Sequence, residues 1–300
     1  MLPLLDRLAA GEILISDGAM GTLLQAKGLQ PGESPESWCL THPGDVQSIA
    51  EAYVAAGADI IETNSFGGTL YKQREFGLEH QVDAFNKAAS RLAKAAIFGK
   101  GYVAASVGPT GQIVVDEGGD ASPDDLYDAF MQQVIALADG GADAICIETI
   151  SSCAEAVLAI RAAKENTSLP IICTFTFESM AMGFRTMMGV TPTKAALSAV
   201  EAGADIVGAN CGNGIADMIA IAGEIRSAVP ATPILIHANA GVPVLEFGKT
   251  VFKDTPAYMA SRVQELIDAG ANIIGGCCGS TPAHIAAIAN TVKARRGGAK

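Results

Sequence analysis

The chain has 300 residues, of which 49% are hydrophobic and only 17% charged, and its formal net charge is −12. This composition supplies a large buried core and excludes intrinsic disorder. The acidic surface that it implies disfavours nucleic acids and anionic membranes as partners, because both repel negative charge.

The cysteines and the N-terminus predict a cytoplasmic protein. Seven cysteines, an odd number in a long chain, argue against the disulfide framework of a secreted protein. Residues 1–16 lack the basic start and apolar stretch of a signal peptide. No apolar run approaches the ~18 residues that a membrane span needs.

Four segments of the sequence repeat one pattern, in which Ala-Gly-Ala-Asp or a close variant precedes a short apolar run. The repeats begin at Ala56, Gly140, Ala202 and Ala269. Each follows a helical stretch, and its glycine is expected to end that helix in the left-handed conformation. The apolar run that follows is typical of a parallel strand that is buried on both faces.

Four further apolar runs alternate with the repeats, at residues 13–16, 102–106, 171–176 and 234–239. Together they make eight predicted strands, each separated from the next by a helical stretch. Eight such units predict an α/β fold, a single-domain (β/α)8 TIM barrel over residues 1–300, with a tail after about residue 290. An open sheet is the alternative, because periodicity does not show whether a sheet closes.

Polar residues and glycines concentrate where the predicted strands end. In a (β/α)8 barrel these carboxyl ends form the face on which active sites lie. We therefore expect the functional site there. The strand ends are residues 17–22, 63–66, 108–111, 148–149, 210–212, 239–241 and 276–279.

Three cysteines lie at two of these strand ends: Cys211 at the sixth, and Cys277 with Cys278 at the eighth. Adjacent strand residues point to opposite faces, so a vicinal pair converges on one metal only where the strand has ended. Three thiolates with one position left open are typical of a catalytic zinc site. The alternative is that the Gly-Cys-Cys-Gly segment is merely a packed strand end.

The ligand type indicates the chemistry. Zinc with three thiolates carries a net negative charge, so it is a poor Lewis acid toward water, yet it deprotonates a bound thiol. The sequence therefore predicts attack by a metal-bound thiolate on an electrophilic carbon. The other cysteines have no comparable spacing and are expected in the core: Cys39, Cys146, Cys153 and Cys173.

Seven motifs occur in one order along the chain, at residues 17–22, 64–69, 108–111, 148–149, 210–211, 239–241 and 275–282. On these motifs the chain resembles the zinc-dependent homocysteine S-methyltransferase family. Within the family it looks closest to the homocysteine-binding module of cobalamin-dependent methionine synthases. The match covers nearly the whole chain, and the cysteine motif is its most specific part.

The resemblance implies that Cys211, Cys277 and Cys278 bind Zn²⁺ and act in catalysis, and that the homocysteine sulfur takes the open position. It also implies that Asn239 occupies or lines this position when substrate is absent.

By the same resemblance, Asp17 and Glu148 would hold the substrate ammonium, and backbone N–H groups around Gly18 to Met20 its carboxylate. This fits the needs of an amino acid, whose two charges require opposite partners. As alternatives, Asp17 is a turn residue, Glu148 pairs with a basic side chain, and Asn210 and Asn239 are strand-end hydrogen-bonding residues.

The methyl donor is expected to be a methylated corrinoid. Because one barrel accounts for the 300 residues, we expect methylcobalamin to be carried by a separate corrinoid protein. A sulfonium or ammonium donor needs an aromatic cage, and only Phe66 and Phe177 lie near the predicted rim. Four methionines after the fifth strand suit a broad apolar contact, or else fill gaps under the loop: Met180, Met182, Met187 and Met188.

Other functions remain open at this point. S-methylmethionine, S-adenosylmethionine or betaine is the alternative donor, and a non-catalytic zinc- or thiol-binding barrel is the alternative class. An aldolase needs a Schiff-base lysine at a strand end, whereas Lys72, Lys164 and Lys249 fall in predicted helices or loops. Of the histidines, His237 is expected to be a satisfied core residue and His284 a solvated one.

Overall fold

The computed structural model describes residues 1–246 and 249–298, with side chains except at 249 and 296–298. Its strands in chain order are β1 (Leu14–Ile15), β2 (Ile60–Glu62), β3 (Tyr102–Val107), β4 (Ala144–Ile150), β5 (Ile171–Phe175), β6 (Glu178–Met180), β7 (Gly183–Arg185), β8 (Ile206–Gly214), β9 (Ile234–Asn239), β10 (Val244–Glu246), β11 (Lys249–Val251) and β12 (Ile273–Gly276). The pairs β6–β7 and β10–β11 are antiparallel hairpins.

Apart from α1, which precedes β1, the helices follow barrel strands or lie in the segments between them. They are α1 (Leu4–Ala9), α2 (Gly21–Lys27), α3 (Trp38–Thr41), α4 (Pro43–Ala56), α5 (Leu70–Arg74), α6 (Val82–Ile97), α7 (Pro123–Asp139), α8 (Cys153–Asn166), α9 (Pro192–Ala202), α10 (Ile215–Ala228), α11 (Pro256–Asp268) and α12 (Pro282–Gly298). Short 3-10 turns lie at Pro35–Ser37, Glu79–Gln81 and Val115–Glu117.

Eight parallel strands form one sheet in the order β1-β12-β9-β8-β5-β4-β3-β2. Its two ends meet through a parallel bridge between Ser16 and Ile60. The N–H of Asp59 also donates to the carbonyl of Ile15 at 2.7 Å. The sheet therefore closes, which confirms the predicted TIM barrel and excludes the open sheet.

The four sequence repeats set the strand register by the same interaction: an Asp or Asn side chain of each repeat accepts from a backbone N–H of the preceding barrel strand. The side chain of Asp59 accepts from the N–H of Ile15 in β1 over 3.0 Å. The equivalent bonds are Val103 N–H to Asp143 at 2.8 Å, Ile171 N–H to Asp205 at 2.8 Å and Ile234 N–H to Asn272 at 2.9 Å. Each repeat thus ties its strand to the preceding one.

The repeat glycines reverse the chain between helix and strand. Gly57 and Gly203 end α4 and α9 with φ of 102° and 109°, a conformation that only glycine adopts at little cost. The prediction that these glycines end helices in the left-handed region is confirmed.

The barrel interior is apolar at the amino ends of the strands and polar at the carboxyl ends. At the amino ends, Leu14, Ile60 and Leu235 pack with Leu4 and Leu8 of α1, which covers the bottom of the barrel. Toward the carboxyl ends of the barrel strands the buried side chains are polar: Ser106, Glu148, Asn210, His237 and Asn239, with the half-buried Glu62 beside them. Burying so many polar groups requires a compensating role, and it marks this end as functional.

Two expectations about the C-terminal region are wrong. The tail expected after about residue 290 is helical up to Gly298, and Val292 on this helix is buried; residues 299–300 lie outside the described part. His284, expected to be solvated, is buried and contacts Thr281 Oγ1 and the carbonyl of Asp254, each at 2.9 Å.

No helix in the described residues combines the length and apolarity needed to cross a membrane. The cytoplasmic location suggested by the cysteines stays a prediction.

Candidate functional site

A cavity of about 420 Å³ opens at the carboxyl ends of the strands. It is lined by acidic, sulfur-bearing and small side chains, and none of the described residues that line it is lysine, arginine or histidine. The chief lining residues are Asp17, Gly18, Met20, Glu62, Phe66, Ser106, Glu148, Cys211, Cys277 and Cys278.

A larger, more open groove of about 640 Å³ lies at the opposite face of the barrel. Arg226 lines this groove. Its guanidinium donates to the carbonyls of Val229, Thr232 and Gly270 and to the side chain of Asn272. These bonds tie neighbouring segments of the barrel together, so the smaller cavity at the carboxyl ends is the stronger candidate for a functional site.

The structure brings Cys211, Cys277 and Cys278 together on one side of this cavity. Their three Sγ atoms lie within 4.8 Å of one another, and those of Cys211 and Cys278 are 3.8 Å apart. As predicted, the vicinal pair follows the end of β12. Its backbone is fixed by bonds from Cys277 N–H to the Ala238 carbonyl and from Ala240 N–H to the Cys278 carbonyl.

Cys211 reaches the pair through an unusual backbone. Its φ is 59°, and the register of β8 against β9 shifts between Asn210 and Gly214. A left-handed residue other than glycine costs about 1–2 kcal/mol, and such strain concentrates at functional sites. The irregularity turns the Cys211 thiol toward the other two.

Hydrogen bonds among the three thiols shift their pKa values in opposite directions. Bonds from Cys277 and Cys278 lower the pKa of the Cys211 thiol, while bonding to Cys211 raises the pKa values of Cys277 and Cys278. Asn239 also hydrogen-bonds to Cys211, and its own Oδ1 is buried with no hydrogen-bond partner among the described residues.

The donor set fits zinc. Thiolate ligands about 2.3 Å from a tetrahedral zinc lie about 3.8 Å from one another, which is the separation of Cys211 and Cys278. The unpartnered oxygen of Asn239 lies beside the same cluster. Asn239 thus belongs to the cysteine side of the site and is not among the residues lining the cavity.

Asp17 and Glu148, predicted to hold an ammonium group, both line the cavity. The carboxylate of Glu148 accepts from the Ser106 hydroxyl and from Asn210 Nδ2, the latter at 2.9 Å. Asp17 accepts from the N–H of Glu62 at 2.9 Å. Burial raises the pKa of each carboxyl to about 7, and the charge of Glu148 adds to the rise at Asp17. Within the part of the chain that the structure describes, the partners of Glu148 are Ser106 and Asn210 and no basic side chain pairs with it, contrary to that alternative.

Glu62 is a third acidic group that sequence reasoning missed. It ends β2 and lines the cavity, and burial together with the charges of Glu148 and Asp17 raises its pKa well above the usual value. The available signal was its alternation with Ile60, which places both side chains inside the barrel.

His237 lies beneath Glu62, with Nδ1 3.8 Å from Glu62 Oε1. Burial lowers the pKa of His237 to about 4, so it is neutral at pH 7. Its Nε2 is buried and has no hydrogen-bond partner among the described residues. It is a core histidine, as predicted, but not a satisfied one.

The turn at residues 17–20 supplies backbone N–H groups to the cavity, as expected around Gly18 to Met20. One of them, from Ala19, is already taken by Ser280 Oγ at 3.1 Å. Within the described residues, the N–H groups of Gly18 and Met20 have no acceptor. The predicted carboxylate site therefore has two free donors here rather than three.

The cavity mouth is apolar but offers little aromatic surface. Phe66 lines it and is 40% exposed. Phe177, expected at the rim, is completely buried against Phe175. The methionine segment forms the β6–β7 hairpin and the turn after it, where Met182 and Met187 are 84% and 78% exposed.

The remaining cysteines stay in the core, as expected. Cys39, Cys146 and Cys173 are buried and Cys153 is half-buried. Lys72 and Lys164 lie in α5 and α8, and Lys249 begins β11 of a surface hairpin, so none of the lysines considered for a Schiff base ends a barrel strand.

Comparison with known proteins places the chain in one family. A family model described as homocysteine S-methyltransferase matches residues 14–292. A methionine synthase of Mycobacterium tuberculosis is 31% identical over 316 residues, covering 98% of this chain but only 26% of that protein. The resemblance drawn from the motifs is thereby confirmed.

Solved structures show the same architecture. The metallated form of the homocysteine methyltransferase MmuM from Escherichia coli superimposes with a TM-score of 0.80 at 25% identity, covering 96% of this chain and 99% of that one. Its apo form gives a TM-score of 0.73 at 24% identity, covering 96% and 98%.

Proposed function

The chain belongs to the homocysteine S-methyltransferase family, and from that premise we propose that it transfers a methyl group to the sulfur of homocysteine to give methionine, with zinc bound by its cysteine cluster. One observation carries the proposal. Three converging thiols face a single cavity large enough for a small amino acid, together with the carboxyl groups of Asp17 and Glu148, which have no basic partner among the described residues.

Cys211, Cys277 and Cys278 would hold the zinc. Bound there, zinc would supply the acceptor sulfur as a nucleophilic thiolate at neutral pH. Asn239, next to the cluster, would line the position that this sulfur takes.

The other groups bind and orient the substrate. Asp17 and Glu148 would accept hydrogen bonds from the ammonium, and Ser106 and Asn210 hold the Glu148 carboxylate in place for this. The free N–H groups of Gly18 and Met20 would bind the carboxylate. An ammonium also removes the repulsion between the two carboxylates, since it brings the positive charge that the cavity lacks.

With the ammonium and carboxylate held at one end of the amino acid and the sulfur at the cysteine cluster, the donor would enter through the cavity mouth. The sulfur would attack the methyl carbon, a carbon–sulfur bond would form, and the electron pair of the breaking bond would stay with the donor. The main contribution of these residues to the reaction would be to hold acceptor and donor in line.

We propose a methylated corrinoid, carried by a separate protein, as the donor. Phe66 lines the cavity, and the exposed methionine side chains follow the carboxyl end of β5, so together they would offer a broad apolar contact to such a donor. A cage for the sulfonium of S-methylmethionine or S-adenosylmethionine, or for the ammonium of betaine, needs several aromatic faces. Phe66 is the only aromatic side chain among the described residues that line the cavity.

The test is turnover of zinc-loaded protein with homocysteine and each donor in turn. We expect methionine with methylcobalamin or a methylated corrinoid protein, and much less with S-methylmethionine, S-adenosylmethionine or betaine. Fast turnover with a sulfonium or betaine, and none with methylcobalamin, would overturn the donor. Binding of zinc and homocysteine without turnover on any donor would instead indicate a non-catalytic binding protein.

A further inference from the structure

Two turns at the carboxyl face, distant in sequence, are joined by one hydroxyl group. Ser280 Oγ accepts from the N–H of Ala19 at 3.1 Å and donates to the carbonyl of Cys277 at 2.7 Å. The first turn belongs to the proposed substrate site, and the second carries two of the three clustered cysteines. Ser280 is completely buried, so neither bond is shared with solvent.

A second hydroxyl reinforces this link. Tyr53 Oη, from α4, donates to the carbonyl of Ala19 at 2.9 Å and lies 3.4 Å from the carbonyl of Ser280. The backbone adds a direct bond from Gly276 N–H to the Asp17 carbonyl at 2.8 Å. We call Ser280, Tyr53 and these backbone contacts the clasp.

The clasp leaves no room for independent movement of the two turns. A Cβ built on Gly18 would lie 2.6 Å from Ser280 Oγ and 2.9 Å from Tyr53 Oη, and one on Gly276 would lie 2.3 Å from Ser280 Oγ. Breaking a buried hydrogen bond leaves an unsatisfied polar group at a cost of about 1–3 kcal/mol. The turns therefore move together or hardly at all.

We propose, resting on the function proposed above, that Ser280 and Tyr53 are positioning residues that couple zinc binding to binding of the substrate's amino-acid end. Zinc fixes the cysteine turn, and through the clasp it fixes the turn at residues 17–20 with its free N–H groups. When an amino acid then binds, the turn is already ordered. Its binding therefore costs less conformational entropy in the zinc-loaded protein than in the zinc-free protein. By linkage, the amino acid strengthens zinc binding by the same factor.

L-Norleucine is the probe, because it has the ammonium and carboxylate of the substrate but no sulfur to contact the metal. Its affinity is measured by calorimetry on zinc-free and zinc-loaded protein, and zinc affinity by chelator competition with and without norleucine. We expect zinc to tighten norleucine binding about fivefold or more, the lower end of typical coupling. The reciprocal measurement should agree.

Ser280→Ala should bring the coupling factor close to one while both ligands still bind. Tyr53→Phe removes a single hydroxyl and should reduce the factor in the same direction, which keeps the test valid if Ser280→Ala does not fold. Ser90→Ala is the matched control, because Ser90 is buried and its hydroxyl has no hydrogen-bond partner among the described residues. Its coupling factor should equal that of the unaltered protein.

The outcomes separate the two proposals. If the unaltered protein binds neither zinc nor any amino acid, the proposed function fails. If it binds both independently, or if both clasp variants retain full coupling, the function stands and the clasp proposal is overturned.

Discussion

Asn210 Nδ2 donates a 2.9 Å hydrogen bond to Glu148 Oε2, so the residue immediately before Cys211 fixes a carboxylate proposed to hold substrate. The remaining atoms of this amide are also engaged. Its Oδ1 accepts from Thr149 N–H at 2.7 Å and from Thr174 Oγ1 at 2.8 Å. Thr149 and Cys211 both have positive φ, at 61° and 59°. Asn210 therefore stabilises the two strained residues of the site together.

Asn210→Ala should impair substrate binding and stability together. Thr149 N–H loses its acceptor, which should cost about 1–3 kcal/mol in the free energy of unfolding, and Glu148 loses a donor, which should raise the homocysteine KM. Urea unfolding and steady-state kinetics measure both. Asn272→Ala, at the opposite end of the barrel, is the control: it should lose stability while KM stays unchanged. An unaltered KM in Asn210→Ala would show that Glu148 needs no such support.

Zinc content tests the cysteine cluster directly. We expect one zinc per chain in the purified protein, and Cys211→Ala or Cys278→Ala should lose most of it because a two-thiolate site binds zinc far more weakly. Cys153→Ala, which removes a half-buried thiol outside the cluster, should retain the metal. Metal analysis by plasma emission decides the matter; full zinc in either cluster variant would exclude that residue as a ligand.

Glu148→Gln should weaken homocysteine binding without loss of zinc. Removing a charged hydrogen bond worth about 1.5–3 kcal/mol should raise KM roughly tenfold to a hundredfold. A des-amino analogue, 4-mercaptobutanoate, should show no such penalty, because it has no ammonium. Glu155→Gln, whose buried carboxylate contacts Thr110 outside the cavity, serves as the control. An equal loss for both ligands would mean that Glu148 does not contact the ammonium.

The raised pKa values predict how stability depends on pH. Burial raises the pKa of the Glu148 carboxyl from 4.5 to about 7, so the folded protein holds a proton that the unfolded chain has lost. Its contribution to stability is therefore full below pH 4.5 and declines as pH rises toward 7. Asp17, raised from 3.8 to about 7, behaves in the same way.

Glu148→Gln removes this decline. In substrate-free protein, its unfolding free energy relative to the unaltered chain should increase between pH 5 and pH 8. Urea unfolding at both pH values tests the difference, in which carboxylates distant from Glu148 cancel. Loss of the Glu148 charge also relieves the rise in pKa at Asp17 and Glu62, which acts in the same direction. A difference independent of pH would show that Glu148 titrates normally in the folded state.

The barrel and the cysteine cluster could be predicted because both follow from periodic signals. Repeated helix ends locate the strands, and a parallel barrel brings every carboxyl end to one face, so Cys211 and Cys277 had to meet. Glu62 escaped notice because it is the last residue of a strand, where only the alternation from Ile60 indicates that its side chain points inward.

Contacts between distant turns could not be predicted in this way. The bond between Ala19 and Ser280 joins residues far apart in sequence, and a serine gives no sign of its partner. His284 and Phe177 were misplaced for a related reason: helix starts and strand ends predict the backbone, whereas burial depends on which neighbouring element covers the side chain.

The four strand-linking side chains give the barrel an internal fourfold pattern. Asp59, Asp143 and Asp205 do by carboxylate what Asn272 does by amide, with equal geometry. The backbone link itself therefore does not require a charge, although Asp59 and Asp143 also pair with Arg7 and Lys94. Asp205→Asn should leave the thermal midpoint nearly unchanged while Asp205→Ala lowers it. The links join β1 to β2, β3 to β4, β5 to β8 and β9 to β12. The barrel therefore consists of four strand pairs, and in each pair one side chain fixes the register. A pair can then vary its carboxyl-end loops without disturbing how the others align.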